Sequence, residues 1–167
     1  MYAFFAASPF LFVDVLHRPA SEVGAYYMVM VAGVTLGSWA ASRLAVGARA
    51  GMILPIAASL GVAGSGALLA FDLAGRLSVP TVLAPVTVFA LGAGLASPVA
   101  TARAISADVR AIGAASGLYG FLQMGFGALC TLLVGIWHAD SALPVACILL
   151  VASLVGLASF VIVRQRA

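Results

Sequence analysis

Asp14 is the acidic residue set most deeply in apolar sequence, within residues 1–16. An ionisable residue within a membrane segment is a candidate for function, here the coupling of transport to protons or cations. It also precedes Arg18 by four residues, so on a helix the two side chains could pair at a polar boundary. Asp14 is therefore an ion-coupling candidate or an interfacial anchor, and both interpretations stay open.

A second polar set consists of Ser116, Tyr119 and Gln123, spaced i, i+3 and i+7 in an otherwise apolar run. On a helix this spacing places the three polar groups on one face. Such a face must meet protein or water. Hydrogen bonds to a neighbouring helix would satisfy it, and so would a ligand cavity lined by Tyr119 and Gln123.

Enzyme chemistry is not predicted. Ser116 lies in Ala114-Ala-Ser116-Gly117, but no histidine falls in an apolar run to act as its base. His17 and His138 have no metal-ligand spacing, and a cysteine in an apolar run commonly behaves as a small hydrophobe. We expect no catalytic residues, no cofactor and no metal site.

The elements that carry these residues are predicted to be membrane helices. Of the 167 residues, 64% are hydrophobic and 8% are charged, whereas about 25% are charged in ordinary soluble domains. A soluble chain of this size would need more polar surface. The composition therefore predicts an all-α integral membrane protein.

Long apolar runs give the number of crossings. About 20 apolar residues cross a bilayer as a helix, and uninterrupted runs favour helices over the alternating strands of a barrel. Short connections then predict one six-helix bundle. The predicted crossings are residues 1–16, 24–42, 50–71, 79–102, 111–137 and 142–163.

The arginines predict the orientation of this bundle in the membrane. With six successive crossings, six of the eight arginines fall on one side of the membrane, and only Arg18 and Arg76 fall on the other. Because positive residues mark the cytoplasmic side, both termini are expected in the cytoplasm. The net charge of +3 is spread among loops rather than gathered on one face, so no nucleic-acid partner is expected.

The first predicted crossing is short. A helix over residues 1–16 would be about 24 Å long at 1.5 Å per residue, less than the hydrocarbon core. It lacks the basic start of a signal peptide. We therefore expect the chain to begin inside a helix, with an N-terminal portion missing.

Glycines and prolines interrupt the apolar runs. Gly33-Val-Thr-Leu-Gly37 and Gly113-Ala-Ala-Ser-Gly117 are small-xxx-small steps, which allow helices to pack closely and also leave smooth faces that can slide. Residues 91–98 combine Gly92 and Gly94 with Pro98. This combination makes the three residues hinge candidates.

Four segments carry a family resemblance. They are Ser8-Pro-Phe-Leu-Phe-Val-Asp14, Gly24-Ala-Tyr-Tyr27, the loop Arg43-Leu-Ala-Val-Gly-Ala-Arg49-Ala-Gly51, and Gly113-Ala-Ala-Ser-Gly-Leu-Tyr-Gly-Phe-Leu-Gln-Met-Gly-Phe-Gly-Ala128. On these residues the chain resembles the C-terminal half, helices seven to twelve, of a major facilitator superfamily transporter of the bicyclomycin-resistance (Bcr/CflA) drug-efflux subfamily. The loop lacks the acidic residue of the family pattern.

The resemblance implies one half of the major facilitator fold, with the N-terminal six-helix half missing. It also implies proton-coupled multidrug efflux across the bacterial cytoplasmic (inner) membrane. The implied partners are small apolar or cationic drug-like substrates, protons, the lipid bilayer, and the missing half or a second copy. Since the path in this superfamily lies between two halves, the chain alone should be inactive.

The resemblance and the polar set together give the candidates for the substrate path. Aromatic and methionine walls would suit varied apolar cations. The candidates are Phe4, Phe5, Ser8, Tyr26, Tyr27, Met30, Ser116, Tyr119 and Gln123. An alternative also stays open, in which the chain is a stand-alone six-helix half-subunit or scaffold that pairs with another membrane half.

Overall fold

The computed structural model describes residues 1–44, 51–105, 112–136 and 142–166, with side chains except at 104, 105 and 160–166. Apart from short turns, the described residues are helical. Helix α1 spans Tyr2–Phe10 and continues as a π-helical segment, Leu11–Val15. The others are α2 (Ala20–Leu44), α3 (Ile53–Leu73), α4 (Val79–Ile105), α5 (Ile112–Ile136) and α6 (Leu143–Arg166).

Four helical segments are long and apolar enough to cross a membrane: Ala20–Leu44, Ile53–Leu73, Val79–Arg103 and Ile112–Ile136. Tyr2–Val15 and Leu143–Ser159 are apolar but shorter. The chain is therefore an all-helical membrane protein, as the composition predicts. Six crossings, rather than four, remain a prediction.

The helix boundaries agree with the predicted crossings to about one turn, with the largest shift at the start of α2. The expected loop over residues 17–23 is shorter, because α2 begins at Ala20. Glu22 lies in the first turn, where a carboxylate interacts favourably with the helix dipole. The Tyr26 hydroxyl one turn later donates a hydrogen bond to it.

Helix α4 packs closely against both α2 and α3, and glycines make this approach possible. A Cβ at Gly37 would overlap the backbone carbonyl of Leu91, and one at Gly94 would overlap that of Val34. On the other side, a Cβ at Gly64 would lie 2.5 Å from the Pro85 carbonyl oxygen. The Gly33 to Gly37 step therefore packs closely against α4 in this conformation, and sliding along this face stays a prediction.

The connection between α3 and α4 is fixed by local hydrogen bonds. Gly75, at φ 63°, ends α3 in a Schellman arrangement in which the Arg76 amide donates to the Phe71 carbonyl at 3.0 Å. At the start of α4, the amide of Ser78 donates to the Thr81 hydroxyl at 2.8 Å, and the Thr81 amide donates back to the Ser78 hydroxyl at 3.4 Å. This reciprocal cap satisfies helix-end donors that would otherwise lack partners.

The apolar core gathers side chains from α1, α2, α3, α4 and α6. Its fully buried members include Phe4, Met30, Leu68 and Val86. Helix α5 contributes little to it and packs mainly against α1 and α4. One side of the bundle, between these three helices and α2, is therefore left open.

Candidate functional site

An open groove of about 580 Å³ lies between α1, α2, α4 and α5. Most of its wall is apolar, and the polar groups along it belong to tyrosines, hydroxyl side chains and one amide. We call this cavity the central groove. Its lining residues are Met1, Tyr2, Phe5, Val31, Val34, Thr35, Ala93, Ala96, Ser97, Ala100, Tyr119 and Gln123.

Helix α5 contributes two predicted residues, Tyr119 and Gln123, to the central groove. The Tyr119 hydroxyl accepts a 3.1 Å hydrogen bond from Thr101 on α4. The Gln123 amide is exposed and has no hydrogen-bond partner among the described residues. One of these side chains therefore ties α5 to α4, while the other has its donors and acceptor available to a ligand or water.

Ser116 does not line the central groove. It is exposed, and its hydroxyl donates to the Gly113 carbonyl oxygen at 3.0 Å in its own helix. A Cβ at Gly113 or at Gly117 would meet no atom within 4 Å, so this small-xxx-small step contacts no other described helix. The two predicted steps thus differ, because among the described helices only the step on α2 faces another helix.

On α1, Phe5 lines the groove and packs edge-on against Tyr27 of α2, with ring centroids 5.3 Å apart. The Tyr27 hydroxyl lies 2.6 Å from the Ser8 hydroxyl, which also donates to the Phe5 carbonyl at 3.1 Å. Ser8 is fully buried. Tyr27 and Ser8 therefore hold α1 against α2 behind the groove wall and position Phe5.

The remaining predicted residues of these two helices lie in or against the core. Phe4 and Met30 are fully buried. Tyr26 packs on Phe12, with ring centroids 4.6 Å apart, and donates to Glu22. None of the three lines the central groove in this conformation, and their part in a substrate path stays a prediction.

Asp14 lies in the π-helical segment and is exposed. The structure gives it no ion pair with Arg18 among the described residues. Here the backbone leaves the α-helical path, since Leu16 donates to the Leu11 carbonyl and Arg18 to that of Phe12, and His17 takes a φ of 51°. The i+4 geometry expected for Asp14 and Arg18 is consequently absent.

The hinge candidates lie within one unbroken helix. α4 continues through Pro98, and Gly92 and Gly94 are the points where α3 and α2 approach it. A Cβ at Gly92 would lie 2.7 Å from the Ala57 carbonyl oxygen. Close packing accounts for these two glycines in this conformation, and bending at Pro98 stays a prediction.

No acidic or basic side chain is among the described residues that line the central groove, and Met1 brings the α-amino group of this chain to its wall. Aromatic faces attract cations and apolar surfaces alike, while hydroxyl and amide groups orient a ligand. No group of three or more histidine, cysteine or acidic side chains suited to a metal occurs in the part of the chain that the structure describes. The arrangement can bind a ligand but supplies no nucleophile with a base.

Sequence reasoning missed Thr35, Ser97 and Thr101. Thr35 and Ser97 line the groove, and Thr101 bonds Tyr119. Thr35 lies between Gly33 and Gly37, and Ser97 directly precedes Pro98. In the sequence, both segments were considered only for their glycines and proline. The hydroxyl groups within these segments could have indicated that they line a cavity.

The basic ends of the helices are described only in part. Arg43 lies over the Trp39 ring, with its guanidinium carbon 5.4 Å from the ring centroid. Arg49, Arg110 and His138 lie outside the described residues. Comparison with protein-family models, curated proteins and solved structures finds no match for this chain.

Proposed function

We propose that this chain forms one wall of a transport path through a membrane, with the central groove as the substrate-binding surface. The observation that carries the proposal is the meeting of Phe5, Tyr119 and Gln123 on one open surface. α1 and α5 are far apart in the sequence, yet their packing brings these side chains together. Polar groups on such a face must meet protein, ligand or water.

The groove's chemistry supports small apolar or cationic drug-like substrates. Phe5, Tyr2 and Tyr119 offer aromatic surface that attracts cations, and no arginine or lysine side chain is among the described lining residues. Gln123 supplies donors and an acceptor for orientation. Coupling to protons, with Asp14 as its candidate residue, and the direction of efflux rest on the resemblance to the major facilitator drug-efflux subfamily.

The open side of the groove supports a partner. A path through a membrane needs walls on all sides, and this chain supplies α1, α2, α4 and α5 around only part of the cavity. We propose that a second six-helix half covers it, as in the resembled transporters. The proposed setting is the bacterial inner membrane, with both termini in the cytoplasm.

A second candidate is a half-subunit or scaffold without a substrate of its own. It is favoured by α5, whose apolar side chains are largely exposed and whose Gly113, Gly117, Gly120 and Gly125 approach no other described helix. Such a face could pair with another membrane half through close helix packing. The two candidates differ in whether ligand and water reach Gln123.

Cysteine labelling distinguishes them. In a chain with Cys130 and Cys147 replaced by alanine, Gln123→Cys and Leu118→Cys are each expressed with a matching N-terminal half and exposed to a water-soluble maleimide. Leu118 is 60% exposed but does not line the central groove. We expect labelling at position 123, slowed by tetraphenylphosphonium, and little at 118. Equal labelling at both positions, or no protection by the cation, would refute the substrate path.

A further inference from the structure

Among the described side chains of helix α6, burial is confined to its beginning. Pro144, Val145, Ala146 and Leu149 are buried there, whereas no described side chain from residue 150 to residue 159 is. Further along α6, Ser153 is still close to α3, since a Cβ added at Gly61 would lie 3.0 Å from the Ser153 hydroxyl oxygen. Beyond Ser153, Gly156 has no atom near its Cβ position and is exposed. α6 therefore separates from α3 toward its C-terminal end.

This separation opens a second groove, of about 480 Å³, between α3, α4 and α6. We call it the lateral groove. It does not include Phe5, Tyr119 or Gln123 of the central groove. Its wall is built mainly of small apolar residues: Leu54, Ala57, Ala58, Gly61, Phe89, Gly92, Ala93, Ala96, Ala152 and Gly156, with Ser153, Ser159 and Arg103.

The lateral groove has the length of a lipid tail. Its lining on α4 runs from Phe89 to Arg103, a rise of about 21 Å at 1.5 Å per residue. One leaflet supplies about half of a hydrocarbon core of roughly 30 Å. Because this rise exceeds the roughly 15 Å of one leaflet's hydrocarbon, an acyl chain lying along α4 from near the middle of the membrane would leave Arg103 beyond the hydrocarbon boundary, at the level of the head groups.

The end of the lateral groove that lies at the membrane boundary carries a positive charge. Arg103 is the one charged side chain among the described lining residues, and it lies near the end of α4. Leu54 at the start of α3 and Ser159 late in α6 line the same end, since α3 runs antiparallel to α4 and α6 runs parallel to it. A guanidinium group binds phosphate oxygens, and basic pockets between membrane helices bind anionic lipid head groups.

We propose that the lateral groove binds one anionic phospholipid, with an acyl chain between α3, α4 and α6 and the phosphate at Arg103. The lipid would fill the space between α3, α4 and the later described part of α6. The lateral groove shares only Ala93 and Ala96 of α4 with the central groove, and the lipid site would stand if the chain transported nothing.

The test uses the purified 167-residue chain in detergent. Native mass spectrometry measures retention of phosphatidylglycerol and of phosphatidylcholine with the same acyl chains. We expect phosphatidylglycerol to be retained about fivefold better, from roughly 1 kcal/mol per basic residue. Arg103→Gln should abolish this preference, whereas Arg43→Gln, which alters the arginine over Trp39, should keep it.

A second variant pair tests the apolar part of the site. Gly156→Leu should fill the lateral groove and reduce retention of both lipids several-fold. Gly66→Leu is the matched control, since Gly66 also has open space at its Cβ position but does not line the groove. Equal retention of both lipids by the wild-type chain, or unreduced retention by Gly156→Leu, would overturn the proposal.

Discussion

The carboxylate of Asp72 accepts a 2.9 Å hydrogen bond from the backbone amide of Ala142, 70 residues later in the chain. Asp72 lies in the last turn of α3, and Ala142 directly precedes α6. The bond therefore joins one helix end to the start of another, where a carboxylate also interacts favourably with the dipole of α6. The bond fixes the N-terminal end of α6, and later residues of the same helix line the lateral groove.

Replacing Asp72 with alanine should loosen this junction. Asp72 is only 9% exposed, and losing a hydrogen bond from a charged group costs about 1.5–3 kcal/mol. We expect a lower free energy of unfolding for Asp72→Ala in a denaturant titration of the detergent-solubilised chain. Asp14→Ala is the matched control, because Asp14 is exposed and has no hydrogen-bond partner among the described residues. Equal losses in both variants would show that the Asp72 contact contributes nothing specific.

Gly94→Ala should destabilise the packing of α4 against α2. The added Cβ would overlap the backbone carbonyl of Val34, which cannot move without shifting α2. Overpacking of this kind costs about 1–3 kcal/mol, so the thermal midpoint of the purified chain should fall. Gly66→Ala, where the Cβ meets no neighbour, should leave the midpoint unchanged or raise it, and a fall of the same size there would contradict the close approach.

The hydrogen bond between Thr101 and Tyr119 should give a small coupling between α4 and α5. Thr101→Val, Tyr119→Phe and the double variant form a thermodynamic cycle that isolates the pair. Hydrogen bonds between membrane helices average about 0.6 kcal/mol, and we expect an interaction free energy of that order from unfolding titrations. Strictly additive single-variant effects would mean that the two hydroxyl groups do not interact in the membrane protein.

The orientation predicted from the arginines places the connection after α3 on the periplasmic side and the connection before α3 in the cytoplasm. In the chain lacking native cysteines, Arg76→Cys should react with an impermeant maleimide in intact cells. Met52→Cys, at an exposed position just before α3, should react only after the cells are permeabilised. The opposite pattern would invert the orientation inferred from the arginines.

The sequence predicted the helices well because their signal is local. Long apolar runs, each with an arginine beside one end, indicate where α3, α4 and α5 begin and end. The glycine spacing at Gly33 and Gly37 marks a face that the structure shows in close contact with α4. The start of α2 was less predictable. Glu22 is polar enough to suggest a loop, yet a carboxylate is stabilised in the first turn of a helix.

The features that depend on contacts between distant segments were not predictable in the same way. Asp72 looks like a loop residue in the sequence, and its partner is a backbone amide far along the chain. Phe4 and Met30 look as suitable for a cavity as Phe5 does, since composition does not tell which face of a helix meets the core. The departure of α6 from α3 also has no local signature, because its apolar pattern continues throughout.

The most direct test of the transport proposal is ethidium efflux from cells that express this chain with and without a matching N-terminal six-helix half. The proposal predicts efflux that depends on the proton gradient when both halves are present and little efflux from either half alone. It also predicts a several-fold lower rate with Gln123→Ala than with Leu118→Ala. Efflux by this chain alone as a monomer, or equal rates for the two variants, would contradict the assignment of the central groove as half of a transport path.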